Sequence, residues 1–276
     1  MSQCLTSLLF IMQLISIITV VLNCRQHIEQ TIQSVINQTY NNIEYIIIDG
    51  GSTDGTLDII RNYDHAIDYW ISEKDQGIYS AMNKGLRVVA NEESYVLFLN
   101  AGDFFDDHKI ISDISFELND CDFVYGKIKL EDGDFSIIAG KKVNLTSLTI
   151  NTICHQTIFV KKALYNQLGG FSEKYQIASD YEFVLRVFNT NIKTKYIDKV
   201  ISTMRLGGIS DRNYLMTFKE KSEIIKNNVS TLSYYIAVFH IYFIDIPFNL
   251  TSACLERLNL LSYWRRLKKY GRSIFD

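Results

Sequence analysis

The sequence predicts an α/β fold, with a mostly parallel, Rossmann-like β-sheet flanked by helices, and three observations support this prediction. Short apolar runs at residues 15–22, 43–48 and 95–99 are typical of strands that are buried on both faces. Segments with apolar side chains at helical spacing separate these runs. Polar loops with carboxylates follow the second and third runs. Strands that alternate with helices form the crossover units of a parallel sheet.

The first predicted strand is residues 15–22, because β-branched residues dominate this run. The apolar stretch around it is interrupted by Gln13, Ser16 and Thr19, and it is shorter than the roughly 20 residues of a spanning helix. No basic segment precedes it and no small-residue cleavage site follows, so a signal peptide is not expected. Residues 1–14 are interpreted as an N-terminal extension.

A glycine-rich loop follows the second predicted strand. Residues 25–38 predict a helix, and residues 49–55 read Asp-Gly-Gly-Ser-Thr-Asp-Gly before a helix predicted over 56–63. Such a loop lets the backbone approach a ligand closely and offers the amides of a helix N-terminus. Its two aspartates could accept hydrogen bonds from a base or a ribose. The same composition is also typical of a plain turn, and the Gly-x-Gly-x-x-Gly dinucleotide fingerprint is absent.

Three carboxylates are predicted to meet at one edge of the sheet. Asp49, Asp75 and Asp103 each follow a predicted strand, the last two after strands at residues 67–71 and 95–99. Ligands of open α/β sheets bind outside the carboxyl ends of the strands, where a carboxylate can hold a divalent cation over a phosphate. The alternative for Asp103 is that it caps the helix that follows.

The remainder of the predicted domain mixes helices with antiparallel strands. The pattern predicts helices over residues 78–89 and 109–118, a β-hairpin over 123–130 and 135–139, and a strand over 155–160. A further helix begins near Asp180 and runs to about residue 188. Asp180 is either a charge that the helix dipole favours in the first turn or a residue of the site.

Composition narrows the class of protein. The chain has 276 residues, enough for one large α/β domain with an appendage. A net charge of −3 and an isoelectric point near 6.0 give no general attraction to nucleic acid, so none is expected as a partner. The five cysteines are scattered and form no CxxC pair, which indicates reduced cytosolic thiols.

Eight short motifs occur in an ordered series along the chain. They lie at residues 16–23, 48–55, 75–79, 82–85, 99–103, 155–156, 169–171 and 179–181. In order and spacing they resemble the family-2 glycosyltransferases, which have the GT-A fold, and especially the bacterial enzymes that build O-antigen, capsule or exopolysaccharide repeat units. The resemblance covers residues 15–210, most of the chain.

The resemblance implies roles for individual residues. Asp103 matches the last aspartate of the family's metal motif and would bind Mn²⁺ or Mg²⁺ on the diphosphate, while Asp180 matches the catalytic base. The residues that would hold the nucleotide are Thr19, Asn23, Asp49, Gly50, Ser52, Asp54, Asp75, Gly77, Lys84, Asn100, Ala101 and Gly102. Those that would line the pocket of the donor sugar or acceptor are His155, Gln156, Ser179, Tyr181, Gly207, Gly208 and Ser210. Residues 205–210 resemble a mobile segment that closes over the donor.

Three positions depart from the family pattern. Gly102 stands where many members have the first aspartate of the metal motif, so one carboxylate with water would hold the metal. Ser179 replaces an acidic residue that often precedes the base, and Ser80 a frequent aspartate. The Gln-x-x-Arg-Trp motif of processive polymerases is absent, which favours the addition of one sugar per encounter.

The expected function is that of a metal-dependent inverting hexosyltransferase. The resemblance implies a nucleotide-sugar donor, with UDP-hexose favoured, and a saccharide acceptor linked to polyprenyl diphosphate, in bacterial surface polysaccharide biosynthesis. Two alternatives stay open. A sugar-phosphate nucleotidyltransferase usually has a glycine-rich basic loop after its first strand, whereas residues 23–27 contain no glycine. A nucleotide-sugar-binding scaffold with impaired catalysis would account for the missing aspartate at Gly102.

The predicted domains are a catalytic domain, residues 15–210, and a helical tail, residues 211–276. The catalytic domain would have a nucleotide-binding half, residues 15–106, and an acceptor half, residues 107–210. The tail carries an aromatic, apolar stretch at residues 234–250 and then several arginines and lysines. This composition fits a segment at an anionic bilayer surface, and hence a cytoplasmic protein on the inner face of the cell membrane. The alternatives are an appendage packed on the catalytic domain or a homodimer contact.

Overall fold

A computed structural model describes residues 12–119, 121–133, 135–208 and 212–247. Its strands are β1 (Ile15–Val21), β2 (Ile43–Asp49), β3 (Tyr69–Ser72), β4 (Tyr95–Phe98), β5 (Phe123–Asp132), β6 (Phe135–Ala139), β7 (Ile158–Lys161) and β8 (Thr194–Arg205). Its α-helices are α1 (Ile28–Ile36), α2 (Thr56–Asn62), α3 (Ile78–Val88), α4 (Ile110–Ser115), α5 (Leu145–Leu148), α6 (Lys162–Leu168), α7 (Ser179–Phe188), α8 (Tyr214–Asn228) and α9 (Thr231–His240). Ser210, residues 1–11 of the predicted extension and the predicted tail beyond residue 247 lie outside the described residues.

The described strands form one sheet in the order β3-β2-β1-β4-β7-β5-β6, with β8 paired to β5. β1 lies parallel to β2 and β4, and β2 lies parallel to β3. β7 is antiparallel to β4 and β5, β6 is antiparallel to β5, and β8 is parallel to β5. The mostly parallel sheet flanked by helices and the β5–β6 hairpin are therefore confirmed.

Apolar side chains of the central strands fill the core and fix the carboxyl ends of the strands. Ile17 on β1, Ile47 on β2 and Leu97 on β4 have no solvent exposure, and Ile28 and Ile32 of α1 pack in the same cluster. Burial of a side chain of this size stabilises the fold by about 1.5–3 kcal/mol. The register pairs Val21 with Asp49 and Asp49 with Ser72, so the ends of β1, β2 and β3 are level.

Helix α3 approaches the sheet so closely that it needs a glycine. A Cβ atom on Gly85 would lie 2.5 Å from Cγ2 of Ile18, a fully buried side chain of β1. Real Cβ atoms do not make contacts this short. Gly85 therefore sets the distance between α3 and the sheet, and with it the position of the loop that precedes α3.

Two elements differ from the sequence predictions. Residues 155–160 were predicted as one strand, but residues 155–157 form a 3₁₀ helix and β7 begins at Ile158. The chain turns because both the backbone N–H and the hydroxyl of Thr157 donate to the carbonyl of Cys154. The sequence reading also did not predict β8, whose lysines and aspartate obscure its strand pattern.

The described residues fall into two compact units. One comprises residues 12–143 and 152–206, and the other comprises residues 144–151 and 207–247. The second unit contains α5, α8, α9 and a π-helical turn, Ile241–Asp245. Within the ranges that the structure describes, every helix is too short or too polar to span a bilayer.

Candidate active site

Asp49 ends β2 with a buried carboxylate whose two oxygens differ in their surroundings. Oδ2 accepts hydrogen bonds from the backbone N–H groups of Gly51 and Ser52, at 2.9 Å each, and from the hydroxyl of Ser72 at 2.7 Å. Oδ1 is buried and has no hydrogen-bond partner among the described residues. A buried acceptor without a donor is costly, so this oxygen is suited to a donor group of a ligand.

Hydrogen bonds tie the loop after β1 to the loop after β2. The backbone N–H of Asn23 donates to Oγ of Ser52 at 2.7 Å, and the Asn23 side chain accepts from the N–H of Thr53 at 2.9 Å. Asp54 accepts from the N–H of Arg25 at 3.0 Å. These bonds make the predicted nucleotide residues of both loops one connected group. Asn23 has a left-handed backbone, with φ of 49°, which Asn tolerates better than most residues.

Thr19 is not brought to this edge of the sheet. Its side chain has no solvent exposure, its hydroxyl donates to the carbonyl of Leu99 at 2.8 Å, and it lies 3.2 Å from the Tyr45 hydroxyl. The predicted contact between this side chain and a nucleotide has no support in the structure, because neighbouring strands enclose Thr19 before β1 reaches its carboxyl end.

The loop before α3 contacts the glycine-rich loop. A Cβ atom on Gly50 would lie 2.6 Å from Oδ2 of Asp75, so the absence of a side chain at Gly50 permits this approach. Oδ1 of Asp75 accepts from the N–H of Gly77 at 3.0 Å. Lys84 on α3 forms an ion pair with Glu73 at 2.9 Å. The structure therefore brings together Gly50, Asp75 and Gly77.

Asp103 lies in the loop after β4 and is only 7% exposed. Its Oδ2 accepts from Nε2 of Gln156 at 2.9 Å, and burial raises the pKa of Asp103 to about 6. Thr31 of α1 anchors this loop, since its hydroxyl donates to the Asp103 carbonyl and accepts from the N–H of Gly102. Just before α4, it is the carboxylate of Asp107 that accepts a hydrogen bond from a backbone group, the N–H of Lys109. The observed contacts do not support a capping role for Asp103.

Asp180 is the second residue of α7 and accepts several hydrogen bonds. Oδ2 lies 3.1 Å from Nδ1 of His155, and Oδ1 accepts from the N–H of Tyr181 at 2.8 Å and lies 2.9 Å from the Tyr79 hydroxyl. Burial acts to raise the pKa of Asp180, but hydrogen bonds from His155, the N–H of Tyr181 and the Tyr79 hydroxyl act to lower it, and the pKa is lowered overall. Nε2 of His155 lies 2.9 Å from Nδ2 of Asn100. The carboxylate is therefore ionised and held at both oxygens.

Consecutive residues of one 3₁₀ helix connect the two aspartates. Gln156 donates to Asp103, and its neighbour His155 bonds Asp180 and also reaches Asn100, in the same loop as Asp103. The structure therefore brings Asp103 and Asp180 to one site, through side chains that the sequence reading assigned to the sugar pocket.

The remaining predicted residues occupy varied surroundings. Ser179 is fully buried, and its Oγ has no hydrogen-bond partner among the described residues. Tyr181 is 3% exposed, and burial raises the pKa of its hydroxyl. Ala101 donates its N–H to the carbonyl of Val20 at the end of β1. Gly207 and Gly208 belong to the second compact unit.

Two residues that the structure places at the site had no individual role in the sequence prediction. Tyr79 contacts Asp180, although it lies inside the quoted motif at residues 75–79. Arg205, the last residue of β8, donates to Nδ1 of His27 at 2.9 Å, and its guanidinium lies over the Phe104 ring, 5.3 Å from the centroid. Its charge acts to lower the pKa of Asp103. The sequence prediction included Arg205 only as the first residue of the mobile segment 205–210, whereas the structure places it at the end of β8.

Comparison with known proteins identifies the family of this chain. Residues 16–173 match the family described as glycosyl transferase family 2. A Mycobacterium bovis protein named PGL/p-HBAD biosynthesis glycosyltransferase is 29% identical over 205 residues, covering 71% of this chain and 78% of the relative. A Haemophilus influenzae protein, named an uncharacterized glycosyltransferase, is 31% identical over 216 residues, covering 72% of this chain and 82% of the relative.

Solved glycosyltransferases share the fold. TarS 1-349 of S. aureus, in complex with UDP-GlcNAc, superposes with a TM-score of 0.63 at 18% identity, covering 84% of this chain and 73% of that one. This chain spans 44% of a longer TarS chain. The mannosyltransferase PcManGT of Pyrobaculum calidifontis, in complex with GDP-Man and Mn²⁺, gives a TM-score of 0.64 at 14% identity, covering 95% and 80%. The chain has the GT-A fold, and because the family match spans more than half of it, it belongs to glycosyl transferase family 2.

Proposed function

We propose that this glycosyltransferase transfers one hexose, with inversion, from a nucleotide sugar to a lipid-linked saccharide. The observation that carries the proposal is the pairing of Asp103 and Asp180 through adjacent residues, Gln156 and His155. Glycosyl transfer requires stabilisation of the departing diphosphate and removal of a proton from the acceptor hydroxyl. One carboxylate is available for each requirement.

Asp180 is proposed as the general base. Its lowered pKa keeps it ionised at neutral pH, and its carboxylate sits at the head of α7 with donors on both oxygens. A positioned base typically contributes about 10²- to 10⁴-fold to the rate. Attack from the face opposite the leaving group inverts the anomeric configuration. The proton of the acceptor hydroxyl moves to Asp180 as the new glycosidic bond forms and the bond to the diphosphate breaks.

Asp103 is proposed to hold Mn²⁺ or Mg²⁺. No group of three or more His, Cys, Asp or Glu residues suited to a metal occurs among the described residues, so Asp103 would hold the cation without a cage of several such side chains. Mg²⁺ is commonly bound by one or two carboxylates together with substrate phosphates and water, which this donor set fits. When bound, the cation would supply positive charge for the departing diphosphate. Arg205 brings a second positive charge to the neighbourhood of Asp103.

The nucleotide is proposed to lie on the loops after β1 and β2. The unpartnered Oδ1 of Asp49 supports this location, because it can accept from an N–H of a base or a hydroxyl of a ribose. TarS was solved with UDP-GlcNAc and PcManGT with GDP-Man, so neighbours of the same fold take nucleotide sugars. UDP is proposed for this chain, from the resemblance of its glycine-rich loop to those of uridine-binding members.

The proposed acceptor is a saccharide on polyprenyl diphosphate, in the assembly of a bacterial surface polysaccharide. The M. bovis relative is named for PGL/p-HBAD biosynthesis, so a related chain acts in the biosynthesis of glycoconjugates. The family assignment removes the reason for the nucleotidyltransferase alternative. An impaired scaffold stays a second candidate, because Gly102 stands where many family members have the first aspartate of the metal motif.

The proposed location is the inner face of the cell membrane, through an apolar stripe in the second unit. The stripe consists of six side chains, each more than half exposed: Leu232, Tyr235, Ile236, Phe239, Tyr242 and Phe243. Their spacing places them along one side of a helix. Residues 248–276 contain six Lys or Arg against two acidic residues, a composition that anionic lipid attracts. The proposed partner is therefore an anionic bilayer surface.

Two measurements test the reaction. A thermal-shift screen of UDP, GDP and dTDP, with and without Mn²⁺, should show stabilisation by UDP that increases with the metal. Hydrolysis without an acceptor is then measured with a nucleotide sugar that carries the nucleotide found to bind. Asp180→Asn should abolish turnover with little change in nucleotide affinity. Substantial turnover by Asp180→Asn contradicts its role as the base, and a wild-type chain that binds but never hydrolyses supports the scaffold.

Sedimentation with liposomes tests the location. A double substitution, Phe239→Glu with Phe243→Glu, should release the protein from vesicles that contain anionic lipid. Phe116→Glu provides a matched control, because Phe116 is also exposed, at 61%, but lies in the other unit. Unchanged sedimentation of the double variant contradicts the membrane proposal, and loss of a dimer in analytical ultracentrifugation assigns the stripe to self-association.

A further inference from the structure

His155 lies between side chains from two other parts of the fold. Its Nδ1 is 3.1 Å from Oδ2 of Asp180 on α7, and its Nε2 is 2.9 Å from Nδ2 of Asn100 in the loop after β4. The His155 side chain is only 18% exposed. Each ring nitrogen therefore has its own partner, and the orientation of the imidazole is fixed from both sides.

The partners determine which nitrogen of His155 carries a proton. An ionised carboxylate only accepts hydrogen bonds, so Nδ1 must donate to Asp180. With the amide nitrogen of Asn100 directed at Nε2, that nitrogen accepts, and the ring is the neutral Nδ1–H tautomer. The Asn100 amide could also be rotated by 180°, which exchanges its nitrogen and oxygen. Its Oδ1, which is buried and has no partner among the described residues, would then accept a hydrogen bond from a protonated Nε2. Nδ1 donates to Asp180 in both arrangements.

Among the described residues, these bonds leave an acceptor position on Oδ2 of Asp180. Oδ1 accepts from the N–H of Tyr181 and lies 2.9 Å from the Tyr79 hydroxyl, while Oδ2 faces His155. A carboxylate offers about four lone-pair sites, so Oδ2 keeps one for a further donor. Because Oδ2 is held by the imidazole, the direction of this remaining lone pair depends on where His155 stands.

We propose that His155, held by Asn100, is a positioning residue that aims the free lone pair of Asp180 at the acceptor hydroxyl. The inference rests on the proposed role of Asp180 as the base. It gives His155 a role different from the sugar-pocket lining expected from sequence, since both of its nitrogens face protein groups. A misplacement of about 1 Å at a reacting group can cost about 10²-fold in rate, so loss of His155 should affect kcat more than KM.

Nuclear magnetic resonance tests the protonation without any substrate. Long-range ¹H–¹⁵N spectra of ¹⁵N-histidine-labelled protein report the protonation of each ring nitrogen, and the chain has five histidines. His155 is assigned by its absence in His155→Gln, and His65, which is exposed, serves as the internal reference. At pH 7.5 we expect a protonated Nδ1 for His155. A bare Nδ1 overturns the proposal.

Two substitutions of His155 separate positioning from simple packing. The side-chain nitrogen of Asn can take the place of Nδ1, whereas that of Gln, one atom further from the backbone, takes the place of Nε2. His155→Asn should therefore keep kcat within about tenfold, and His155→Gln should lower it about 10²-fold with KM changed less than threefold. The assay is nucleotide release from UDP-glucose, UDP-GlcNAc and GDP-mannose.

The pH profile supplies a readout that a packing defect would not change. His155 acts to lower the pKa of Asp180, so in His155→Gln the acidic limb of kcat/KM should move to higher pH. The other titratable groups that face this pair are Tyr79 and Tyr165, whose raised pKa values keep them neutral, and Asp103, which faces His155. If the acidic limb of the kcat/KM profile and the value of kcat in His155→Gln are both the same as in wild type, the proposal is overturned.

Asp180→Asn distinguishes failure of this inference from failure of the proposed function. If Asp180→Asn turns over like wild type, the base assignment fails and the positioning role fails with it. If Asp180→Asn is inactive while His155→Gln and His155→Asn both match wild type, only the positioning role fails. If none of the three nucleotide sugars is hydrolysed by wild type, the protonation of Nδ1 decides the proposal.

Discussion

Replacing Asp103 by Asn should make the protein more stable at neutral pH while removing its proposed metal ligand. Asp103 is 7% exposed, and burial raises its pKa to about 6, compared with about 3.9 for an ordinary Asp. The folded chain therefore disfavours the charged carboxylate. Asn has the same shape and stays neutral, and its Oδ1 can still accept the hydrogen bond from Gln156.

The magnitude follows from the difference between the two pKa values. A difference of about two units corresponds to about 3 kcal/mol in the free energy of unfolding, once the carboxylate is ionised in both states. For a domain of this size, each kcal/mol shifts Tm by about 2–4 °C. Asp103→Asn should therefore raise Tm by about 6–12 °C at pH 7.5. A gain in stability with a loss of activity is a common result at functional sites.

The way in which the free energy of unfolding changes with pH tests whether the raised pKa of Asp103 is the cause of the stabilisation. Because the pKa of Asp103 is raised in the folded state, the stability it contributes is fully present below about pH 4 and is lost as the pH rises through about 6. Relative to Asn, the carboxylate costs about 3 kcal/mol at pH 7.5 and about 1 kcal/mol at pH 4.5. The advantage of the variant should therefore decrease by about two-thirds between these pH values.

Urea unfolding of wild type and variant at both pH values measures the difference directly. Asp107→Asn is the matched control, because Asp107 lies four positions away and is exposed. It should change the free energy of unfolding little at either pH. An Asp103→Asn protein that is less stable than wild type at pH 7.5, or that gains equally at both pH values, refutes the reasoning.

Two glycines give further predictions. Gly85→Ala places a Cβ 2.5 Å from Cγ2 of Ile18. Such overpacking costs about 1–3 kcal/mol, and the better helix propensity of Ala offsets about 1 kcal/mol of it. Differential scanning fluorimetry should therefore show a Tm that is lower by several degrees. Gly208→Ala, where a Cβ would meet no atom of the described residues within 4 Å, should leave Tm nearly unchanged, and equal losses would contradict the account. Gly50→Ala places a Cβ 2.6 Å from Oδ2 of Asp75, so calorimetry should show weaker UDP binding; unchanged affinity would contradict a nucleotide site on this loop.

The parallel half of the sheet was predictable because its strands are buried on both faces. Ile17, Ile47 and Leu97 belong to runs that are apolar at nearly every position. Such short apolar runs are typical of the buried strands of a parallel sheet. The same reasoning correctly placed Asp49 at the end of β2 and placed Asp103 beyond β4, where the structure has it in the following loop. Strand ends share one edge of a parallel sheet, so local patterns were sufficient for this part of the site.

The contacts of Asp180 could not be predicted in the same way. His155 and Asp180 are 25 positions apart, and His155 and Asn100 are 55 apart, so neither contact has a local signature. Thr19 shows a different limit, because a motif resemblance carries no information about the neighbours that enclose its side chain. β8 was missed because its polar residues conceal a strand that pairing with β5 stabilises.

The 3₁₀ helix His155–Thr157 gives the site one common support. Gln156 and His155 are consecutive, so any displacement of this turn shifts the contact at Asp103 and the contact at Asp180 together. If Asp103 and Asp180 have the proposed roles, the leaving-group end and the attacking end of the reaction are mechanically coupled through this turn. An engineer who wishes to change which alcohol is glycosylated should leave this turn untouched and vary the surrounding surface instead.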